Sequence, residues 1–165
     1  MRVAATIDIA ATPAEVWGFI TDPERSLHFL HGVTRFERAG DHAPGPGMRF
    51  RMLMRIGSAE IGSLVEVVEW HEHRDLAWTS VTGLDQRARW RLRERDSGRT
   101  HVEFRLSYGV AGAGLGGWIA ERVAAPQVRR NFQRSLVQLK RQVEHERLRT
   151  DAARRRAARS TASSG

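Results

Sequence analysis

Apolar and polar residues alternate along several segments of the chain. In QRARWRLRER, residues 86–95, the apolar residues Ala88, Trp90 and Leu92 alternate with arginines, and THVEFRLSY, residues 100–108, continues the pattern. A period of two residues predicts strands with one apolar and one polar face. The segment DSG between them predicts a hairpin turn, so the two strands should pair in an antiparallel sheet.

Five earlier segments carry the same strand signal. They are RVAATIDIAA, VTRFERAG, MRFRMLMRI, SLVEVVEW and DLAWTSV. In MRFRMLMRI the apolar face includes Met52 and Met54, and arginines occupy the opposite face. SLVEVVEW has apolar residues in both phases, so its pattern leaves open which face carries Glu69. Trp78 belongs to the apolar face if its strand keeps the phase of Leu76.

Helical signals lie between the first and second strand segments and after the last strand segment. The segment TPAE combines a Thr12 cap, a proline at the first helical position and Glu15 three residues after the cap, which predicts a short helix. The segment TDPERSLHFLHG predicts a second short helix. Over about residues 116–148 apolar residues recur mostly at steps of three and four, which predicts one long helix kinked at Pro126.

The C-terminal segment RTDAARRRAARSTASSG differs from the rest of the chain because it has almost nothing to bury. Such a segment lacks the apolar contacts that offset the entropy of ordering, so we expect it to be frayed or disordered. The predicted organisation is one domain over residues 1–148 and a basic tail over residues 149–165.

The segment GVAGAGLGG places Gly112, Gly114 and Gly117 at the spacing G-x-G-x-x-G, between a strand-like and a helical segment. A dinucleotide site needs a second parallel strand after the helix and an acidic residue about 20 positions further on. Here only helix and tail follow, and the segment NFQRSL at that distance contains no acid. We interpret the glycines as a flexible connection, and no cofactor is expected.

Arginine dominates the charge of the chain. The net charge is +8, and the tail, with five arginines and one aspartate, supplies half of it. Lys140 is the single lysine among 27 basic residues, so a compositional bias explains the arginines as well as phosphate contacts would. Specific nucleic-acid binding is therefore not expected.

Two absences in the sequence bear on location. Cysteine is absent, which excludes disulfides and thiolate metal sites. The N-terminal segment has no continuous apolar region, and no stretch approaches about 18 apolar residues, so no signal peptide or membrane span is expected. We expect a cytoplasmic protein, either a monomer or a homodimer.

The order of these elements and four segments resemble the START-like or Bet v 1-like (SRPBCC) superfamily, and within it the polyketide cyclase/dehydrase-type proteins. The segments are IDIAATPAEVWGFITDPE, GPGMRFRM, VVEWHEHRDLAW and APQVRRNFQRSLVQLKRQVE. Together they cover about residues 2–146. The resemblance implies an α+β helix-grip fold, in which a curved seven-stranded antiparallel sheet wraps a long C-terminal helix and two short helices lie between the first two strands.

The resemblance also implies an apolar cavity between the sheet and the long helix. The inward phase of the strands supplies its candidate lining, in which methionines beside aromatic rings make an adaptable apolar wall. The predicted ligand-binding residues are Phe50, Met52, Met54, Trp78, Trp90, Phe104, Leu106, Tyr108 and Trp118. The alternative is that these side chains simply fill the core.

Catalysis in such a cavity needs polar side chains on the inward phase of the strands, and the strand pattern places few there. The strand arginines all fall on the outward phase, which weakens a cyclase assignment. Tyr108 and Glu69 are the candidates for catalysis. Further inward polar candidates are Ser80, Gln86 and His28 or His31.

The segment HEH, residues 71–73, suggests a metal site at first sight. A metal site needs a third ligand and supporting groups, and a hairpin tip with two solvated histidines is the simpler interpretation. No metal is expected.

Three functions remain open on the sequence. The first is binding of a hydrophobic small molecule, such as a lipid or polyketide, in the apolar cavity. The second is a polyketide aromatase/cyclase or dehydratase that acts in the same cavity. The third is an interaction or regulatory protein that uses the outward arginines or the tail to dock on an acidic partner, for instance an acidic carrier protein.

Overall fold

The computed structural model describes the backbone of residues 2–56, 58–109 and 114–162, and the side chains of these residues except residues 56, 114–125 and 162. The elements follow the order expected from the sequence. They are β1 (Arg2–Ile9), α1 (Pro13–Ile20), α2 (Pro23–Phe29), β2 (Val33–Arg38), β3 (Arg49–Ile56), β4 (Ala59–His71), β5 (Asp75–Gly83), β6 (Asp85–Arg95), β7 (Arg99–Gly109) and α3 (Gly114–Ala162).

The described strands form one seven-stranded sheet in the order β1-β7-β6-β5-β4-β3-β2. Every pairing is antiparallel: consecutive strands pair from β2 to β7, and β1 pairs with β7. The sheet curls as a half-barrel around α3, and α1 and α2 lie between β1 and β2. The predicted helix-grip fold is therefore confirmed.

The inner face of the sheet carries the apolar phase of the alternating segments. Trp90 of β6 pairs with Phe104 of β7, and Ala88 pairs with Leu106. Trp78 of β5 pairs with Ala88. All five residues are buried, as are α3 residues that face them. The alternation therefore predicted the inner face of β6 and β7 correctly, because both strands keep a strict period of two. In β5 the first four residues are all buried, and Trp78 belongs to the core together with Leu76.

An irregularity in β4 decides the register that the sequence pattern left open. Val67 pairs with Trp78, whereas Glu69 pairs with Ala77, so Val68 is an extra residue on the β4 side. A β-bulge of this kind shifts the residues that follow it to the other phase. Glu69 consequently joins the outer face of the sheet, and Val68 is 53% exposed.

Local capping positions the two short helices. The Thr12 hydroxyl accepts from the Glu15 N–H at 3.3 Å, and the Glu15 carboxylate accepts from the Thr12 N–H at 2.7 Å. This reciprocal pair is the capping box expected from the sequence, and it starts α1. Asp22 caps α2 through its carboxylate, which accepts from the Glu24 N–H at 2.9 Å.

The helix α3 lies across the inner face of the sheet. Its apolar stripe buries Phe132, Leu136, Leu139 and Val143, at the three- and four-residue steps seen in the sequence. Pro126 lies inside the helix. No helix within the described ranges is both long enough and apolar enough to cross a membrane.

The end of α3 corrects one expectation. The helix continues to Ala162, whereas we expected a frayed or disordered tail after Leu148. The reason is the composition of residues 149–162, in which alanine and arginine, two strong helix formers, dominate and glycine and proline do not occur. Residues 152–161 are all exposed, so this last part of α3 projects from the domain.

Three side chains of α3 anchor the helix to the junction of β1 and α1; we call Lys140, Glu144 and Arg147 the α3 clamp. The Glu144 carboxylate accepts from the Ala10 N–H at 2.8 Å, and Lys140 Nζ donates to the Asp8 carbonyl at 2.6 Å. Arg147 donates to the Ala10 carbonyl at 3.0 Å. The clamp holds the middle of α3 in place against the edge of the sheet.

Candidate functional site

A small cavity lies between the inner face of the sheet, the segment that joins α2 to β2, and α3. Its volume is about 50 Å³, which is room for at most a few water molecules. The described lining consists of Leu30, His31, Gly32, Val33, Met52, Met54, Arg55, Trp78, Gln86, Phe104, Leu106, Val128, Asn131, Phe132 and Ser135. Because apolar side chains from three layers converge here, this cavity is the candidate ligand site.

The structure brings five of the predicted ligand-binding residues together. Met52, Met54, Trp78, Phe104 and Leu106 line the cavity. The other predicted residues with described side chains are buried in the core away from this lining; they are Phe50, Trp90 and Tyr108. The side chain of Trp118 lies outside the described residues.

Stacked aromatic rings occupy much of the space between the sheet and α3. The centroids of the Trp90 and Phe104 rings are 3.6 Å apart, with planes 4° from parallel. Phe104 in turn stacks on Phe132 of α3 at 4.3 Å. The Trp78 ring lies 6.2 Å from the ring of Phe36 and 6.4 Å from that of Phe104. These contacts explain why the cavity is small.

Gln86 brings a buried amide to the cavity wall. It is 2% exposed, and its Nε2 donates to Ser63 Oγ at 2.7 Å and lies 3.6 Å from Met52 Sδ. Its position on the inner phase of β6 agrees with the sequence pattern. Because a buried amide is stable only when hydrogen-bonded, Ser63 fixes the orientation of this group.

The opposite wall of the cavity is tied together by Ser135 of α3. Its hydroxyl donates to the Asn131 carbonyl at 2.8 Å and accepts from the His31 N–H at 2.9 Å. This bond holds the segment between α2 and β2 against α3. His31 and Arg55 are both lining residues and exposed, so they form the solvent-facing rim of the cavity.

The sequence reasoning missed the contribution of α3 and of the segment before β2. Asn131 and Ser135 lie four residues apart, next to the apolar stripe that includes Val128 and Phe132. Two small polar residues on the inward side of an amphipathic helix are a signal that could have been used. The strand pattern predicts Arg55 on the outward phase, and its side chain is exposed, but it also lines the rim of the cavity.

The two candidate catalytic residues do not line the described part of the cavity. Tyr108 is 5% exposed and pairs with Gln86 across β6 and β7. Glu69 lies on the outer face, where its carboxylate forms an ion pair with Arg89. The bulge at Val68 therefore corrects the inward placement that we considered for Glu69.

A cluster of possible metal ligands lies outside the cavity. Glu69, His71 and Asp75 place ligating atoms within 4.8 Å of one another. Glu69 already pairs with Arg89, and Asp75 pairs with Arg93 at 3.0 Å. A metal cation would be repelled by these guanidinium groups, so the cluster does not fit a metal centre.

The outer face of the sheet carries an open groove of about 900 Å³ rimmed by arginines. We call its basic residues the arginine face; they are Arg2, Arg87, Arg89 and Arg105. Arg89 pairs with Glu69, and Arg105 pairs with Glu103 at 2.5 Å. Arg2 and Arg87 form no ion pair with other residues in the described part of the chain. The outward charge is thus partly neutralised.

A curled antiparallel sheet around a long helix, with an apolar cavity between them, defines a helix-grip protein of the START-like class. A family profile described as polyketide cyclase/dehydrase and lipid transport matches residues 1–144. The chain belongs to this family. Comparison with curated protein sequences finds no significant match.

Solved structures share the fold at low sequence identity. A protein from Thermus thermophilus is 20% identical with a TM-score of 0.73, over 87% of this chain and 97% of that chain. An aromatase/cyclase, Zhui, from a Streptomyces species is 17% identical with a TM-score of 0.73, over 87% and 93%. A START superfamily protein from Mycobacterium smegmatis is 16% identical with a TM-score of 0.65, over 87% and 97%. At these identities the similarity establishes the fold.

Proposed function

We propose that this protein binds a hydrophobic small molecule, such as a lipid or a polyketide, in the cavity between the sheet and α3. The observation that carries the proposal is the convergence of inward apolar side chains from β3, β5, β7 and α3 on one cavity. Membership of the family supports it, because the family description includes lipid transport besides cyclase and dehydrase activity.

Binding requires the cavity to expand. Small-molecule pockets commonly measure about 300–1,000 Å³, whereas this cavity measures about 50 Å³. Met52 and Met54 have unbranched, flexible side chains that adapt to different shapes. Residues 30–32 line the cavity from a segment outside helices and strands. A ligand would therefore displace these side chains and this segment rather than the stacked rings.

A titration with Nile red tests the proposal. This dye is neutral, so the basic surface of the protein does not attract it, and its fluorescence rises in apolar surroundings. We expect saturable binding at one dye per chain. The variant Met54→Trp fills the half-buried edge of the cavity, and it should weaken Nile red binding about tenfold, a change of about 1.4 kcal/mol in binding free energy.

The matched control is Val68→Trp, which adds the same side chain on the exposed bulge of β4. It should leave the affinity for Nile red within about twofold of the wild-type value. Failure of the wild-type protein to bind the dye saturably would contradict the proposed function, as would an equal loss in both variants.

A polyketide aromatase/cyclase or dehydratase is the second candidate function. The observation in its favour is the rim, where the His31 imidazole and the Arg55 guanidinium border an apolar cavity. An imidazole can transfer a proton, and a guanidinium can stabilise a developing oxyanion. Against it, the described lining contains no carboxylate. Unchanged turnover of a polyketide-like substrate in Tyr108→Phe and Glu69→Gln would remove the catalysts considered from the sequence.

Docking on an acidic carrier protein is the third candidate function. Arg2 and Arg87 support it, because each is free of ion pairs among the described residues and faces the outer groove. Steep weakening of partner binding with rising salt is expected of such a surface. A cytoplasmic location and a monomeric or homodimeric state stay predictions.

A further inference from the structure

We infer that Trp78 donates a hydrogen bond to the bound molecule, so that the cavity selects apolar compounds that carry an oxygen acceptor, foremost a carbonyl group. This inference rests on the proposed function, because it assumes that the cavity holds a ligand. According to this inference, Trp78 makes the cavity bind an oxygenated ligand more tightly than a hydrocarbon of the same shape.

The environment of Trp78 is the first observation. The residue is 4% exposed and lies on the inner face of β5, where it pairs with Val67 and Ala88. It lines the cavity, between the rings of Phe36 and Phe104. Its indole nitrogen Nε1 is buried and has no hydrogen-bond partner within the part of the chain that the structure describes. An indole N–H is a donor only, so it needs an acceptor, and the described residues provide none.

A buried donor without a partner is unfavourable. Leaving such a group unsatisfied costs about 1–3 kcal/mol, and buried tryptophan N–H groups usually have a partner. The other described side-chain atom of this kind is Arg91 Nε. Arg91 belongs to the outer face, where its Nε lies 3.8 Å from the Asp75 carboxylate. Among the described residues, Trp78 is therefore the member of the cavity lining that carries a buried donor without a partner.

Two polar groups of the lining already donate to acceptors within the protein. The amide nitrogen of Gln86 is directed to Ser63 and Met52. The Ser135 hydroxyl already donates to the Asn131 carbonyl. The apolar part of the lining includes Met52, Phe104 and Leu106, and the other polar lining side chains, those of His31, Arg55 and Asn131, come from the segment before β2, from β3 and from α3. A ligand oxygen placed against Trp78 Nε1 would satisfy the donor, and the hydrocarbon part of the ligand would contact these side chains.

Two probes of almost equal shape test this donor. Acetylnaphthalene and isopropenylnaphthalene, substituted at the same ring carbon, differ by an oxygen in place of a methylene group. Their affinities for the wild-type protein, Trp78→Phe and Trp90→Phe are measured by displacement of Nile red. Trp90 is a matched control, because it is 1% exposed but does not belong to the described lining.

The expected result is a selective loss. In Trp78→Phe the affinity for acetylnaphthalene should fall about tenfold more than the affinity for isopropenylnaphthalene. The affinity for isopropenylnaphthalene reports the change in packing, which affects both compounds. In Trp90→Phe the ratio of the two affinities should stay at the wild-type value.

The carbonyl stretch of acetylnaphthalene bound to the wild-type protein gives a second readout that needs no variant. A hydrogen bond moves this infrared band to lower frequency than in an apolar solvent. An unshifted band, or an equal loss of both probes in Trp78→Phe, would overturn the role of Trp78 and leave cavity binding intact. Failure of both probes and of Nile red to bind the wild-type protein would instead overturn the proposed function and this inference with it.

Discussion

Gly83, the last residue of β5, has a conformation that only glycine adopts easily. Its φ is +84°, and a Cβ atom at this position would lie 2.2 Å from the Gly62 carbonyl oxygen and 2.8 Å from Ser63 Cα. Both neighbours are backbone atoms of β4, so a flexible side chain cannot move aside. The turn into β6, which brings Gln86 to the cavity, therefore depends on a residue without a side chain.

The variant Gly83→Ala should lower the free energy of unfolding by about 2–4 kcal/mol, because backbone strain and a backbone clash add. Gly98→Ala is the matched control, since Gly98 has a φ of +67° and a Cβ atom added there would meet nothing within 4 Å. It should cost about 1 kcal/mol from strain alone. Urea unfolding measures the free energy of unfolding of both variants. Equal losses would show that the clash with the backbone of β4 contributes nothing to the cost of Gly83→Ala.

Individual residues of the cavity could be predicted only where the pattern was strict. Phe104 and Leu106 follow from the uninterrupted alternation of β7, and Met52 and Met54 follow from that of β3. The position of Glu69 could not be predicted, because it depends on a bulge formed by long-range pairing between β4 and β5. Local periodicity contains no information on such an insertion.

At the scale of elements, the α3 clamp connects the helix to the sheet. Burial alone would raise the pKa of Glu144, but hydrogen bonds from the Ala10 N–H and from Lys140 outweigh it. The pKa of this carboxyl therefore lies below its ordinary value of 4.5. The carboxylate stabilises the fold above the ordinary pKa, and this contribution is lost as the pH falls through the folded-state pKa.

Glu144→Gln should reduce the free energy of unfolding by about 1 kcal/mol at neutral pH, because the variant loses the charge that pairs with Lys140. The difference from the wild-type protein should shrink below about pH 4, where the wild-type carboxylate becomes protonated. Denaturant unfolding at a series of pH values measures it. The pKa of Asp8 is also lowered, by its hydrogen bond with His101. Its contribution to the pH dependence of stability is the same in the wild-type protein and in Glu144→Gln, so it cancels in the difference.

Glu146→Gln provides the control at a nearby position of the same helix, away from this contact. Glu146 is 53% exposed and pairs with Arg25 at 3.1 Å, so the change should stay within about 0.5 kcal/mol. A stability difference for Glu144→Gln that does not depend on pH would contradict the role of its charge.

At the scale of the molecule, the basic end of α3 is separate from the cavity and the core. Residues 152–161 are exposed, whereas the apolar stripe of α3 is buried as far as Val143. Deletion of residues 149–165 should therefore change the free energy of unfolding by less than about 1 kcal/mol. It should leave the Nile red affinity unchanged. A large loss of either quantity would show that this segment belongs to the domain.

The fold and the cavity were predictable from the sequence to different degrees. The order of strands and helices follows from local periodicity, capping at Thr12 and Asp22, and turn signals, all of which act over a few residues. The small volume of the cavity depends on how Trp90, Phe104 and Phe132 stack across three elements. Such packing involves contacts between residues distant in sequence, so periodicity predicts the inward face but not the space that remains.

The most direct test of ligand binding follows the methyl groups of methionine by nuclear magnetic resonance during a titration with Nile red. The chain has four methionines; Met52 and Met54 line the cavity, and Met48 is buried outside its described lining. The proposed function predicts that the Met52 and Met54 signals shift and saturate at one equivalent of dye while the Met48 signal stays in place. Unchanged Met52 and Met54 signals in the presence of bound dye would contradict it.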